Sequence, residues 1–285
     1  MANPTYQSGF YAPGRGTALH PELWRGCVGA WNPGLGNTGL SLRDWSGNQN
    51  NGTLVNGPTW GPVDGRQALN FDGVDDAVDF GNVLDSVFAG ANKKFTVASW
   101  IYPRVGGGAN DFVFSKVNST AGQRQWFFRN SGGYLDFLWY GALNGSSYRS
   151  YTCNTPLTVN AWQHVALLYD GTQPLGSRVA MYVDGDLQSQ TLTLAAGTPV
   201  QIQSATASLY YGNGFASGLS VFSFDGLLDG GRIFDRVLSP NEIRLLAQRP
   251  GIAYELAPRK FYSLPAAAAS SRQYRLFRPA ILRGA

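Results

Sequence analysis

Short runs in which apolar and polar positions alternate recur every 8 to 14 residues from about Leu23 onward: ALNFDG, DAVDFG, FTVASWIY, DFVFSKV, QWFFRN, YLDFLWYG, YRSYTC, WQHVALLYDG, RVAMYVDGDLQ, SLYYGNG and GLLDGGRIFDRV. A period of two is the signature of a strand, because successive side chains point to opposite faces. In FTVASWIY, Phe95, Val97, Ser99 and Ile101 fall on one face, with Thr96, Ala98, Trp100 and Tyr102 on the other. Both faces are largely apolar, which predicts a central strand covered on both sides. Gly132-Gly133, Asp184-Gly185 and Asp225-Gly226 supply the positive φ of tight hairpin turns, so the pairing is expected to be antiparallel. No helical pattern alternates with the strands, which argues against a parallel sheet. One helix is signalled: Ser239 as N-cap, Pro240 at the first helical position and Glu242 closing a capping box, with an end by Arg249 before Pro250.

The expected organisation is an extended arm over 1–22, a β-sandwich over 23–249 and a tail over 250–285. Composition agrees: charged residues are only 14%, Gly numbers 36, and Asp outnumbers Glu 15 to 3, placing carboxylates in turns rather than on helix faces. The net charge is +4, but the tail holds six Lys/Arg and one Glu, giving +5 and leaving about −1 for the rest. Arg259, Lys260, Arg272, Arg275 and Arg278 are interleaved there with Phe261, Tyr262, Tyr274 and Phe277. The apolar content of this tail favours an acidic protein neighbour, within a homo-oligomer or on another structural protein, over nucleic acid. No apolar run is long enough for a membrane span, and the opening MANPTYQSGFYAPGRG lacks an apolar signal region. Cys27 and Cys153 could form at most one disulfide; two buried thiols are the other reading.

Five segments, ALNFDGVDDAVDFG, FTVASWIYP, WQHVALLYDG, VAMYVDGDLQ and FDGLLDGGRIFDRVLSPNEIRLL, resemble in order the motifs of the laminin G-like branch of the concanavalin A-like lectin/glucanase superfamily, over residues 23–248. The resemblance implies an all-β fold: a two-sheet antiparallel jelly-roll β-sandwich, here with one short C-terminal helix and a basic tail. It does not fix a ligand, since relatives bind glycans, bind proteins or serve structurally. The chain departs from the family at Asp229-Gly230, where an acidic pair is usual.

Hydrolysis in glucanase relatives needs paired carboxyls about 5 Å apart on a sheet. Glu22, Glu242 and Glu255 are the only glutamates, and none falls in a strand run. Asp170, Asp184 and Asp225 precede turn glycines, and His20 and His164 accompany no nucleophile motif or zinc spacing. The expectation is a non-enzymatic protein. Trp100, Trp139 and Trp162 lie in strand runs and are expected inside, whereas Asn144, Tyr148, Tyr151, Tyr211, Asn213 and Phe215 lie in or beside loops and are candidates to meet a sugar.

Two roles follow: a structural or surface-display protein of a virion or similar assembly, released by lysis rather than secreted, or a stand-alone carbohydrate-binding module. A glycoside hydrolase ranks third. Finally, DWSGNQNNG (44–52) presents oxygen-bearing side chains at close spacing, which suits either an Asx-type turn or a calcium loop. Laminin G-like relatives often hold a structural calcium, and the resemblance implies Ca²⁺ on Asp44, Asn48, Asn50 and Asp229, with Asp72 and Asp75 in reserve.

Overall fold

The computed structural model describes residues 18–63, 65–104, 111–118, 121–214 and 222–257. The strands run β1 (Cys27–Trp31), β2 (Ser41–Leu42), β3 (Gly52–Val55), β4 (Thr59–Val63), β5 (Arg66–Asp72), β6 (Ala77–Asp79), β7 (Lys94–Pro103), β8 (Asp111–Asn118) and β9 (Gln123–Ser131). After these come β10 (Tyr134–Tyr140), β11 (Tyr148–Pro156), β12 (Gln163–Asp170), β13 (Val179–Val183), β14 (Asp186–Leu187), β15 (Gln190–Ala196), β16 (Tyr210–Tyr211) and β17 (Asp225–Phe234). Helices α1 (Asp85–Phe88) and α2 (Pro240–Gln248) complete the body.

One sheet has the order β14-β13-β12-β7-β17-β5-β4, with β1 also paired to β17. The other has the order β15-β11-β10-β9-β8-β16-β6-β3-β2. Every pairing is antiparallel, as the hairpin chemistry predicts. The inner faces meet in an aromatic layer. Phe95 stacks on Tyr169 at 5.1 Å, Phe88 meets Trp126 at 4.8 Å, Trp31 meets Phe80 at 4.3 Å and Phe114 meets Tyr211 at 4.4 Å. Such side chains bury large apolar areas and interlock in offset or edge-on geometry, which fixes the spacing of the sheets.

β7 is central and covered on both sides. Phe95, Val97 and Ile101 join the inter-sheet core, while Ala98 packs with Leu238 and with Ile243 and Leu246 of α2. The capping box of α2 forms as expected: Ser239 Oγ accepts from Glu242 N, and the Glu242 carboxylate accepts from Ser239 N. Both cysteines are buried free thiols. Trp139 is fully buried and Trp100 nearly so, whereas Trp162 is only half-buried, on the outer side of the sheet with Arg66 over its ring.

Two expectations are corrected. Asp225-Gly226 is no hairpin turn: it opens β17 and pairs with Asp72 and Phe71 of β5. Gly226 has φ 148, and a Cβ there would lie 2.1 Å from the carbonyl oxygen of Tyr102, so glycine is needed for close approach of backbones rather than for a turn. The body also extends past 23–249. Ala18 bridges to Leu256, and Ile252, Ala253 and Tyr254 are buried, because Tyr254 packs edge-on against Trp24 and Trp45. Arg259, Lys260, Arg272, Arg275, Arg278 and Phe215 lie outside the described residues.

Candidate functional site

The stretch 44–52 folds around the carboxylate of Asp44. Its Oδ1 accepts from Ala30 N at 3.0 Å and Ser46 N at 2.8 Å, and its Oδ2 from Ser46 Oγ at 2.8 Å and Asn50 N at 3.0 Å. A carboxylate has about four lone-pair sites, and each here has a donor. Asn48 Nδ2 and Asn50 Nδ2 both donate to the carbonyl of Val28, and the indole of buried Trp31 donates to Asn50 O at 2.8 Å. Gly47 and Gln49 supply the positive φ that reverses the chain. The stretch is an Asx-type turn sewn onto β1.

The set Asp44, Asn48, Asn50 and Asp229 is engaged in hydrogen bonds. The Asp44 oxygens are taken up by N–H and O–H donors, the Asn48 and Asn50 amides turn their NH₂ groups to Val28, and Asp229 accepts from Gly34 N at 3.2 Å instead. The carboxylates that converge are the reserves Asp72 and Asp75 with Asp76, whose oxygens lie within 4.8 Å of one another. Burial, then the neighbouring Asp72 and Asp75 charges, raise the Asp76 pKa. Three acidic groups facing one point suit a hard cation with oxygen ligands.

The surface candidates divide. Asn144 is exposed and Tyr148 half-buried, edge-on to Tyr140 at 6.0 Å on the outer face of the nine-stranded sheet. Arg129 lies over Phe127 on the same face, held by Asp136 at 2.8 Å. Tyr151 and Tyr211 are core residues: Tyr211 is fully buried with its hydroxyl 2.8 Å from Ser99 Oγ, and the Tyr151 hydroxyl donates to Leu175 O. Asn213 is buried and donates to Asp76 O at 3.0 Å. These three cannot meet a glycan. Their glycine-rich neighbourhood suggested a loop, but the glycines are there because large rings press against the backbone: a Cβ on Gly212 would lie 2.2 Å from the ring of Phe71.

A concave site that the sequence reading missed lies against the 44–52 turn. It is a groove of about 560 Å³, within the size range of small-ligand sites, lined by Thr38, Ser41, Arg43, Trp45, Gln49 and Asn51 beside the turn itself. The guanidinium of exposed Arg43 sits 4.5 Å from the Trp45 ring centre. The signal was present as period two: Leu42 and Asp44 point inward, so Arg43 and Trp45 share the outer face. Arg43 covers part of the Trp45 ring and Tyr254 meets it edge-on, so its exposed remainder, among hydroxyls and amides, is the surface that suits a sugar ring.

A model of the Concanavalin A-like lectin/glucanases superfamily matches residues 72–244, more than half of the chain. The chain belongs to this superfamily. No curated protein matches the sequence. Among solved structures, the sandwich is similar to domain 4 of AbnA, a GH43 extracellular arabinanase from Geobacillus stearothermophilus, in complex with arabinotriose (17% identity, 78% of this chain and 98% of that chain, TM-score 0.54). It is also similar to the binding domain of Paraclostridial Mosquitocidal Protein 1 (14%, 79% and 52%, TM-score 0.55) and to the botulinum neurotoxin serotype D ligand binding domain in complex with N-acetylneuraminic acid (12%, 80% and 52%, TM-score 0.54). The chain spans about half the length of the two toxin domains. At these identities the likeness is one of fold.

Asp229, almost wholly buried, carries a pH dependence. Burial raises its pKa to about 6, outweighing the Gly34 N–H and the Arg66 charge, which lower it. The folded state then binds this proton while the unfolded state has released it, so its contribution to stability falls as pH rises from about 4 to about 6. Asp229→Asn should flatten that part of the melting temperature profile and leave the protein more stable at pH 7. An unchanged profile contradicts this.

Proposed function

We propose that the chain is a non-enzymatic glycan-binding module whose ligand lies in the groove beside Trp45. The observation that carries this is the groove itself: a half-buried indole flanked by Arg43, Gln49 and Asn51 in a concavity of saccharide size. Two of the similar structures hold arabinotriose and N-acetylneuraminic acid, which supports a saccharide as the class of ligand. Glu242 is committed to the α2 cap and to Arg236, and Glu255 to Arg249, which supports binding without hydrolysis. A glycan array including arabino-oligosaccharides and sialylated chains, followed by titration calorimetry, tests the reading. Trp45→Ala should weaken the captured glycan at least about tenfold, roughly 1.4 kcal/mol, with the fold retained by circular dichroism. Undiminished binding by that variant, or no glycan bound at all, overturns the assignment.

A second reading, structural service in a virion or similar assembly, is favoured by the edge strand β15. It leaves one side of its backbone unpaired by any described strand, with Leu192 and Leu194 about half exposed. The basic tail is the other candidate contact. Light scattering should find an oligomer for the full chain and a smaller species for a chain ending at residue 257, both with the same far-ultraviolet spectrum. An identical mass removes the tail from the assembly.

We also propose that a structural calcium belongs with Asp72, Asp75 and Asp76 rather than with Asp44. Millimolar calcium should raise the melting temperature relative to EGTA, and Asp75→Asn should remove most of the rise. Asp44→Ala should lower the melting temperature equally in both buffers by unpicking the turn. Identical melting of the wild type in the two buffers rules the ion out.

A further inference from the structure

Arg232 is a cation sealed inside the protein, 3% exposed, on the side of β17 that faces α2 and the chain end. Its guanidinium lies between the rings of Trp24 and Tyr254, at 4.6 and 4.8 Å, and Nη1 donates to Leu23 O at 3.2 Å. No carboxylate of the described residues is within ion-pair distance of it. Aromatic faces and a neutral carbonyl offset part of the desolvation, but a buried charge ordinarily needs an opposite charge.

Nη2 of Arg232 has no hydrogen-bond partner among the described residues, and neither has Nδ1 of His164 nor Oη of Tyr254. His164 and Tyr254 are each 2% exposed. All three residues line one small cavity of about 10 Å³, whose wall also includes Asn32, Gly230 and Arg249 and contains no Asp or Glu. Burial first, then the Arg232 charge, lowers the His164 pKa to about 3, so the ring stays neutral at pH 7 and offers one N–H.

We propose that this cavity binds a small monatomic anion of chloride size, held by Arg232 Nη2 with the His164 ring and the Tyr254 hydroxyl. The cavity takes a single water-sized or monatomic guest, which excludes the several heavy atoms of sulfate, phosphate and carboxylates; a halide is larger than a water and needs the wall to give slightly. A water would satisfy the hydrogen bonds yet leave the guanidinium without a counter-charge; a halide supplies both. Arg249, exposed on the cavity wall, is ion-paired with Glu255. Asp229 and Asp44 do not line the cavity, though their charges reach the Tyr254 hydroxyl; Asp229 Oδ1 accepts from Gly34 N, and its Oδ2 has no partner among the described residues. The site is separate from the saccharide groove and does not depend on it.

Melting of the full chain in sodium chloride or bromide, against sodium gluconate at equal ionic strength, reads the site. The halides should raise the melting temperature saturably by several degrees. Crystals grown in bromide should show an anomalous peak within hydrogen-bond reach of Arg232 Nη2. Tyr254→Phe keeps the ring on the guanidinium and removes one donor, so it should fold and shrink the halide increment. Arg232→Met, where it folds, should abolish it. Equal melting in halide and gluconate, an increment untouched by Tyr254→Phe, or an ordered water in place of the bromide peak overturns the proposal.

Discussion

Strand β17 is the constraint on which the sandwich rests. Its first half pairs with β5 and its second half with β1, while β7 runs along its other side, so one segment near the end of the chain joins the first strand to the centre of its sheet. The two halves are separated by a register shift between Asp229 and Arg232. Gly230 holds φ 61 there, a conformation that costs roughly 1 kcal/mol for a residue with a Cβ. Gly231 lies so near the rings of Phe114 and Tyr211 that a Cβ would come within 3.0 Å of the first and 3.3 Å of the second. At 230 itself a side chain would meet only the edge of the Trp100 ring, at 3.5 Å, so the positive φ is the cost that favours glycine there.

That bulge also sets up the chemistry on either side. Leu228 and Ile233 both reach the inter-sheet core, while Arg232 and Asp229 become buried charged groups with different partners. Holding β1 against β17 presents Val28 O and Ala30 to the 44–52 turn. Asp44 and the Asn48 and Asn50 side chains then close on β1, and the groove beside Trp45 inherits its rigid wall from that closure. A binding surface on loops is useful only when a scaffold fixes the loops; here the fixing is done by one carboxylate and one backbone carbonyl.

Much of the fold was legible because it depends on local rules. Period two revealed the long strands, the double apolar face of FTVASWIY revealed a covered central strand, and Ser239-Pro240-Asn241-Glu242 revealed the helix start. The site was less legible because its donors and acceptors come from distant segments. Nothing in DWSGNQNNG announces that its amides will meet Val28, so Asn48 and Asn50 resembled cation ligands until β1 was in place. Tyr211 and Asn213 resembled loop residues because Gly212 and Gly214 surround them, yet those glycines answer to the rings of Phe71 and Phe112. Trp45 was passed over because the Asp beside it drew the reading toward a metal.

The central claim is that a saccharide stacks on Trp45 while the buried tryptophans only support the sandwich. Nitrogen–proton correlation spectra of the indole groups during a glycan titration test it directly. The Trp45 indole signal should move progressively to saturation, while those of Trp31, Trp126 and Trp139, fully buried between the sheets, stay in place. Saturable binding that leaves the Trp45 signal unmoved, or that shifts resonances around Tyr140 and Tyr148 instead, would contradict the account.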